Sequence, residues 1–218
     1  MRITMKIIKD KREIKTIDEW YNIAPPKNKA HWVEGRSAYE CAKAWLRTGK
    51  PVIPAEIINI LETELLTSDL KIDCVEPECK IKFDSFGGEP RNADLAFIGK
   101  NKYGTVAVNI EAKTDETYST TLSETITKAL ETLSGNSNSK KLDRIKFLTS
   151  SLFKEDKSKN PKIIDLRYQL LTAVAGSLAY AQSNNAETAV LIIHEFITNK
   201  SNKNYHQKND DDLQCVFR

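Results

Sequence analysis

The chain has 218 residues, of which 40% are hydrophobic and 29% are charged, and this near-average composition argues against a disordered chain. Its 33 basic and 30 acidic residues leave a formal net charge of +3, which is too small to identify a protein that binds polyanions by charge alone. The longest apolar runs are far shorter than a bilayer-spanning helix requires, so we expect a soluble protein with no membrane partner.

The length and the cysteine content set the expected organisation and compartment. We expect one domain over 1–218, with an N-terminal extension over 1–30 and a C-terminal tail over 198–218 whose structure the pattern does not indicate. Charges interrupt every apolar run at the start of the chain, so we expect no signal-peptide core there. The four cysteines lack the paired short spacings of a zinc site, and free thiols in a reducing cytoplasm are the simplest interpretation.

Two amphipathic helices are predicted before the first strand. The stretch "SAYECAKAWLRTG" has apolar residues at helical spacing from Ser37, and Gly49 marks its end. In "PAEIINILETELL" Pro54 suits a first helical turn, and the apolar stripe that we expect to be buried consists of Ile57, Ile58, Leu61 and Leu65.

Three strands are predicted to follow these helices. Apolar and charged residues alternate in "CKIKFD", and the segments "ADLAFIG" and "TVAVNIEAK" flank the turn "KNKYG" as the arms of an antiparallel hairpin. Since side chains alternate along a strand, Asn109, Glu111 and Lys113 should share one face of the third strand. The other face should be apolar and carry Val106, Val108, Ile110 and Ala112.

The second half of the chain is predicted to return to helix and then to strand. Thr121 and Glu124 have the spacing of a capping box, and Gly135 ends the helix that they begin. A polar loop is predicted from there toward residue 160, and it includes the lysine-rich segment 154–162. Beyond it, "IIDLRYQLLTAVAGSLAYAQ" predicts a mostly buried helix and "TAVLIIHEF" a mostly buried central strand.

The order helix, three strands, helix, strand, with Asp94 on the second strand and Glu111-x-Lys113 ending the third, resembles the restriction-endonuclease-like, or PD-(D/E)-x-K, nuclease superfamily. The resemblance implies an α/β fold in the order αβββαβ, with a mixed central sheet flanked by helices and here an extra N-terminal helix. Asp94, Glu111 and Lys113 match the two acids and the lysine of the motif, although Ala93 precedes Asp94 where the motif names a proline. The stretch "HWVEGRSAYECAKAWL" also resembles a segment of an uncharacterised nuclease-like branch.

The residues of this motif suit metal-assisted hydrolysis. Paired strands would bring the Asp94 and Glu111 carboxylates together, and carboxylate oxygens suit a hard divalent cation such as Mg²⁺ or Mn²⁺. A bound metal lowers the pKa of a water ligand and offsets charge on the phosphorus, while Lys113 would orient that water or neutralise the phosphate. A Glu-x-Lys pair by itself is more often a solvent-exposed ion pair, and this alternative stays open.

Three further residues each have a functional and a structural interpretation. Glu40 matches the acid that the family often supplies from its first core helix, as a further catalytic residue and metal ligand, but Ser37 and Glu40 also have the spacing of a capping box. Arg167 and Gln169 resemble polar residues that branches of the family project from a later helix toward the metal or a phosphate. The alternative for this pair is a helix cap or a surface position.

We therefore expect a metal-dependent nuclease that hydrolyses phosphodiester bonds, with DNA favoured over RNA as its substrate. The alternatives are a nucleic-acid-binding module of the same fold that has lost hydrolysis, and a structural or partner-binding protein. A homodimer stays open, because many members of the superfamily dimerise to cut two strands. A catalyst should bind divalent metal through Asp94 and Glu111, whereas an interaction protein should bind neither metal nor DNA.

Overall fold

The computed structural model describes residues 5–153 and 163–217, in which a six-stranded mixed sheet is flanked by helices. The lysine-rich segment 154–162 lies outside the described residues. The strands are β1 (Lys6–Lys9), β2 (Arg12–Ile14), β3 (Lys71–Ile81), β4 (Arg91–Asn101), β5 (Gly104–Lys113) and β6 (Thr188–Glu195). The helices are α1 (Ile17–Ile23), α2 (Ser37–Trp45), α3 (Ala55–Leu61), α4 (Leu122–Gly135), α5 (Lys141–Leu152), α6 (Tyr168–Ser183) and α7 (Lys203–Phe217). None of the helices in these ranges is both long enough and apolar enough to cross a membrane.

The strand order within the described residues is β2-β1-β3-β4-β5-β6. Strands β3, β4 and β5 form an antiparallel meander, and its second hairpin is the one that the sequence predicts. Strand β6 pairs in parallel with β5, and helices α4 to α6 lie between these two strands in the chain. The prediction that β6 is a central strand is wrong, because β6 is the last strand in this order.

The N-terminal residues form a hairpin that the sequence pattern does not predict. Strands β1 and β2 pair in antiparallel fashion around Asp10 and Lys11, and β1 then pairs in parallel with β3. Both turn residues have positive φ, which is the conformation of a tight two-residue hairpin turn. The helix α1 follows, begins at a capping box of Thr16 and Glu19, and buries Trp20.

Helix α3 is shorter than the sequence predicts. It ends at Leu61, and turns carry the chain from there to β3. Ile57 and Leu61 are buried as expected, but Ile58 and Leu65 are 43% and 64% exposed, so the predicted stripe is wrong at these two positions. The early end removes Leu65 from the helical spacing on which that prediction depends.

Two segments without a predicted helix are helical. Helix α5 lies in the predicted polar loop and buries Ile145 and Leu148 in a cluster with α4 and α6. Helix α7 lies in the predicted tail, where the Asn209 side chain donates to the Glu195 carboxylate at 2.9 Å and to the Glu116 carbonyl at 3.0 Å. The signal that could have indicated α5 is the helical spacing of Leu142, Ile145, Leu148 and Leu152, whereas α7 is polar until its last residues.

The sheet separates two apolar layers. One layer joins Trp45 of α2 and Ile57 of α3 to the predicted apolar face of β5, which consists of Val106, Val108, Ile110 and Ala112. The other layer joins Ala96 of β4 to Ala179 and Tyr180 of α6. Since the apolar face of β5 points toward α2 and α3, its polar face is turned toward α6.

Helix α6 approaches the sheet closely at Gly176. A side-chain carbon built there would lie 2.6 Å from Cδ and 3.2 Å from Nε of Arg91 on β4. The Arg91 side chain is almost fully buried and ion-paired, so it has little room to move aside. A glycine in mid-helix costs about 1 kcal/mol relative to alanine, and here it leaves space for an arginine beneath the helix.

We expect Gly176→Ala to lower the free energy of unfolding by roughly 1–3 kcal/mol, because overpacking displaces a buried side chain. Gly135→Ala is the matched control, since Gly135 is also helical and no described atom outside its own helix and its chain neighbours lies within 4 Å of the place its side-chain carbon would take. That change should be neutral or stabilising by up to about 1 kcal/mol. Urea denaturation measures both variants, and equal shifts would contradict the close packing at Gly176.

Candidate active site

Strands β4 and β5 separate at the end of their hairpin that lies opposite the turn. Their pairing extends from the turn as far as Leu95 and Ile110. Beyond that point, Asp94 Oδ2 accepts a hydrogen bond of 2.7 Å from the backbone N–H of Ala112. The carboxylate therefore takes the place of a backbone carbonyl where the two strands part.

Glu111 lies in a buried network of charged and amide groups. Its carboxylate accepts hydrogen bonds from Arg91 Nη2 at 2.7 Å, from Lys113 Nζ at 3.0 Å and from the side-chain amide of Gln169. The Lys113 ammonium also lies 3.4 Å from Gln169 Oε1 and 5.4 Å from the centre of the Tyr118 ring. Glu111 and Lys113 are only 3% and 4% exposed, so they do not form the solvent-exposed ion pair that the alternative interpretation requires.

The charges of this network shift one another's pKa. Burial by itself would raise the pKa of Glu111, but the nearby Lys113 and Arg91 cations outweigh it and hold that pKa below its ordinary value. Burial would likewise lower the pKa of Lys113, but the Glu111 and Asp94 carboxylates raise it overall. Glu111 and Lys113 are therefore both charged at neutral pH.

The pKa of Asp94 is shifted in the opposite direction from that of Glu111. Burial and the carboxylates of Glu111 and Glu78 raise the pKa of Asp94 well above its ordinary value, and Lys113 and the Ala112 N–H only partly oppose this. Neighbouring carboxylates with opposite shifts are typical of sites in which one acid stays ionised and the other exchanges a proton. A cation that arrived beside Asp94 would favour its ionised form.

A third carboxylate, Glu78 on β3, lies beside Asp94, although no motif in the sequence indicates it. Its side chain accepts a hydrogen bond from the Asn92 amide. Burial raises the pKa of Glu78 to about 7, with a further contribution from Glu111 and with Asn92 and Lys9 opposing the shift. Glu78 has a φ of 49°, which residues other than glycine rarely adopt, and simple alternation along a strand does not predict such a position.

Glu40 is held at the start of α2. Its Oε1 accepts a hydrogen bond of 2.9 Å from the Gly35 N–H, and its Oε2 lies 3.7 Å from Lys43 Nζ. The alternative interpretation of Ser37 and Glu40 as a capping box is wrong, because Arg36 is the N-cap residue and no side chain caps this helix. Among the described residues, Glu40 is thus bonded to Gly35 and paired with Lys43, and neither of these partners belongs to the group around Asp94 and Glu111.

The two polar residues predicted on the later helix have different surroundings. Arg167, at the N-cap of α6, has its Nε 2.8 Å from the Asp212 carboxylate of α7, and its Nη1 donates to the Ser119 carbonyl at 3.0 Å. Its guanidinium therefore connects α6, α7 and the loop before α4. Gln169, in the first turn of α6, contacts the buried ion pair of β5 instead.

Asp94 and Glu111, two of the predicted metal ligands, have carboxylate oxygens that suit a hard cation. The groups that surround them, however, lie in different layers of the fold. Asp94 lines a cleft beside the start of α2, whereas Glu111 is bonded from α6. Among the described residues, no group of three or more His, Cys, Asp or Glu side chains is placed to hold a metal ion. Mg²⁺ often uses only one or two protein carboxylates, with water and substrate phosphate as its other ligands. That Asp94 and Glu111 hold one such cation stays a prediction, and it requires Glu111 to release one of its cationic partners.

The family model of a domain of unknown function (DUF6946) matches residues 13–214 of the chain. This range includes all the residues for which the sequence predicts a role, which are Glu40, Asp94, Glu111, Lys113, Arg167 and Gln169. No curated protein and no solved structure matches the chain.

Glu78 should make the stability of the protein depend on pH. Folding raises the pKa of Glu78 to about 7, so the folded protein favours the protonated side chain. This contribution to stability is complete below the pKa that Glu78 has in the unfolded chain, and it is lost as the pH rises through about 7. Between about pH 5 and about pH 8 we expect Glu78→Gln, which does not titrate, to gain roughly 1–3 kcal/mol of unfolding free energy relative to wild type. Urea denaturation at the two pH values measures the difference. Glu76→Gln, on the same strand and more exposed, is the control, and an equal gain there would contradict the assignment to Glu78.

Proposed function

This chain belongs to the DUF6946 family, and we propose that it is a metal-dependent nuclease that hydrolyses phosphodiester bonds, with DNA as its substrate ahead of RNA. The burial of Glu111 and Lys113 is the observation that supports this function most strongly. Removing two ions from water costs several kcal/mol per ion before their attraction is counted. An ion pair with no role beyond the surface of a strand would stay exposed to solvent. Buried charges with shifted pKa values, in contrast, cluster at functional sites.

The order of the elements supports the restriction-endonuclease-like fold that the sequence resembles. Helices α2 and α3 precede the meander of β3, β4 and β5, and helices α4 to α6 lead to β6, which is parallel to β5. This series contains the order αβββαβ, with β1, β2 and α1 as N-terminal additions, a second helix before the meander, two further helices before β6, and α7 after it. Asp94 falls on the second strand of that core, and Glu111 and Lys113 fall on the third.

The contacts of each residue support a specific role. Asp94 and Glu111 would hold Mg²⁺ or Mn²⁺, which when bound supplies an activated water and positive charge near the phosphorus. Lys113 would neutralise the scissile phosphate or orient the attacking water. Gln169 fixes the orientation of the Glu111 carboxylate through its amide. Glu40 stays a predicted further ligand, although its carboxylate is bonded to the Gly35 N–H and lies near Lys43 at the start of α2.

A nucleic-acid-binding module that keeps the fold without hydrolysis is the second candidate. One observation favours it: Oε2 of Glu111 is bonded to Arg91, and Oε1 is bonded to Lys113 and Gln169. If Arg91 permanently takes the place of a metal ion, the domain would bind nucleic acid and leave it intact. A structural or partner-binding role has less support, because it does not explain why the charges of Glu111 and Lys113 are buried. A cytoplasmic location and a homodimer stay predictions.

Substitutions in the Glu111–Lys113 pair separate a metal ligand from a catalytic cation. Glu111→Gln keeps the shape of the side chain but loses the charge that a hard cation needs, so we expect weaker Mg²⁺ binding and no cleavage. Lys113→Met removes the charge and keeps much of the length, so we expect cleavage slower by about 100-fold or more while metal and DNA binding persist. Plasmid nicking with Mg²⁺ or Mn²⁺ and calorimetric metal titration measure the two effects.

The exposed pair Lys140–Asp143, 3.3 Å apart, supplies matched controls for these variants. Lys140→Met and Asp143→Asn should leave nicking and metal binding unchanged, and thermal melts of all variants show whether lost activity reflects unfolding. Nicking and metal binding that both persist in Glu111→Gln would contradict its assignment as a ligand. A wild-type protein that binds DNA but never nicks it with either metal would support the second candidate.

A further inference from the structure

A cleft of about 540 Å³ opens beside Asp94 on the side of α2. Its lining includes the carboxylates of Asp94 and Glu78 and the first turn of α2. The lining also includes the basic segment 26–31, which carries Lys27, Lys29 and His31. The cleft therefore combines the predicted catalytic acid with cations from a separate part of the chain.

Segment 26–31 is fixed between the helices that precede and follow it. The Asn28 side chain caps a short 3-10 turn within the segment. The Trp32 ring directly after it lies 5.5 Å from the Tyr21 ring of α1 and 5.5 Å from the Tyr39 ring of α2. Since the backbone is already held, it loses little conformational freedom when a ligand binds.

The two lysines of the segment are available to a new partner. Lys29 is exposed and has no carboxylate partner among the described residues, and its ammonium lies 5.9 Å from the centre of the Tyr21 ring. Lys27 pairs with Glu89, but the two side chains are 79% and 75% exposed, and such exposed pairs contribute little to stability. A phosphate, with its oxygens and negative charge, would displace Glu89 from Lys27 at small cost.

We propose that segment 26–31 is the phosphate-binding wall of this cleft, where Lys27 and Lys29 contact the backbone of the nucleic-acid strand that presents its scissile phosphate to Asp94. The acids alone would repel a polyanion, so a strand enters where cations offset that repulsion. Ammonium groups contact phosphates without reading bases, so these contacts are independent of nucleotide sequence. This assignment rests on the proposed nuclease function and moves the phosphate contact from Arg167, which is already ion-paired, to the cleft wall.

Two double variants remove the same charge from different places. Lys27→Ala with Lys29→Ala alters the cleft wall, whereas Lys100→Ala with Lys102→Ala alters the turn end of the β4–β5 hairpin, far from the site. Lys102 is a close match for Lys29, because its ammonium also lies near a tyrosine ring, that of Tyr103, at 4.9 Å. Fluorescence anisotropy measures their binding to a labelled DNA duplex, its single strand and the matching RNA, in EDTA and over a range of KCl concentrations.

We expect the cleft-wall variant to bind about tenfold or more weakly at low salt than wild type does. The slope of log affinity against log salt should become shallower by about 2, one unit for each lost phosphate contact. The hairpin variant should match wild type in affinity and slope. Replacing Lys27 and Lys29 by Arg, which keeps both cations, should preserve wild-type binding. All four substituted lysines are exposed, so each variant should also unfold in urea as wild type does.

Two results would overturn the assignment, and they are distinguishable. If wild type binds nucleic acid and the two double variants bind alike, the cleft wall is not the phosphate contact, while the proposed nuclease function stands. If wild type binds neither DNA nor RNA, with or without Mg²⁺, the cleft wall and the nuclease function both fall.

Discussion

The rest of the site depends on the buried carboxylate of Glu111. Without the cations of Lys113 and Arg91, its charge would be strongly destabilising in this position. The strand that carries it must therefore lie inside the sheet, and α6 must come close enough for Gln169 to reach it. The close approach of α6 also requires a glycine at position 176, because a larger residue would take the space that Arg91 occupies.

The two acids of the motif differ in their surroundings, and under the proposed function this difference gives them different roles. Glu111 is enclosed by donors that keep it ionised, whereas Asp94 borders an open cleft and has a raised pKa. Under the proposed function, Glu111 would stay ionised throughout, whereas Asp94 would exchange a proton for a cation when substrate arrives. Segment 26–31 brings positive charge to the cleft that Asp94 borders, and its Lys27 pairs with Glu89 rather than with either acid.

The sequence predicts the features whose signal is local. Alternation along β5 places Glu111 and Lys113 on one face, and the structure confirms this, but alternation does not reveal that α6 covers that face. Arg91 and Glu78 escape prediction because they approach the site only through the pairing of β3, β4 and β5. Polar composition conceals α7, and charged residues conceal the β1–β2 hairpin, since each buries too few apolar side chains to show a clear period. Helix α5 does have apolar residues at helical spacing, which the prediction of a polar loop overlooked.

The hydrogen bond between Asp94 and the Ala112 amide affects how the end of β5 can move. A backbone ladder opens cooperatively, because each carbonyl is fixed by the pairs beside it. Here a single side chain holds the amide, and a change of rotamer can release it while Leu95 and Ile110 stay paired. Release of this hydrogen bond would therefore leave the sheet intact, because Leu95 stays paired with Ile110 and Ala112 stays paired with His194 of β6.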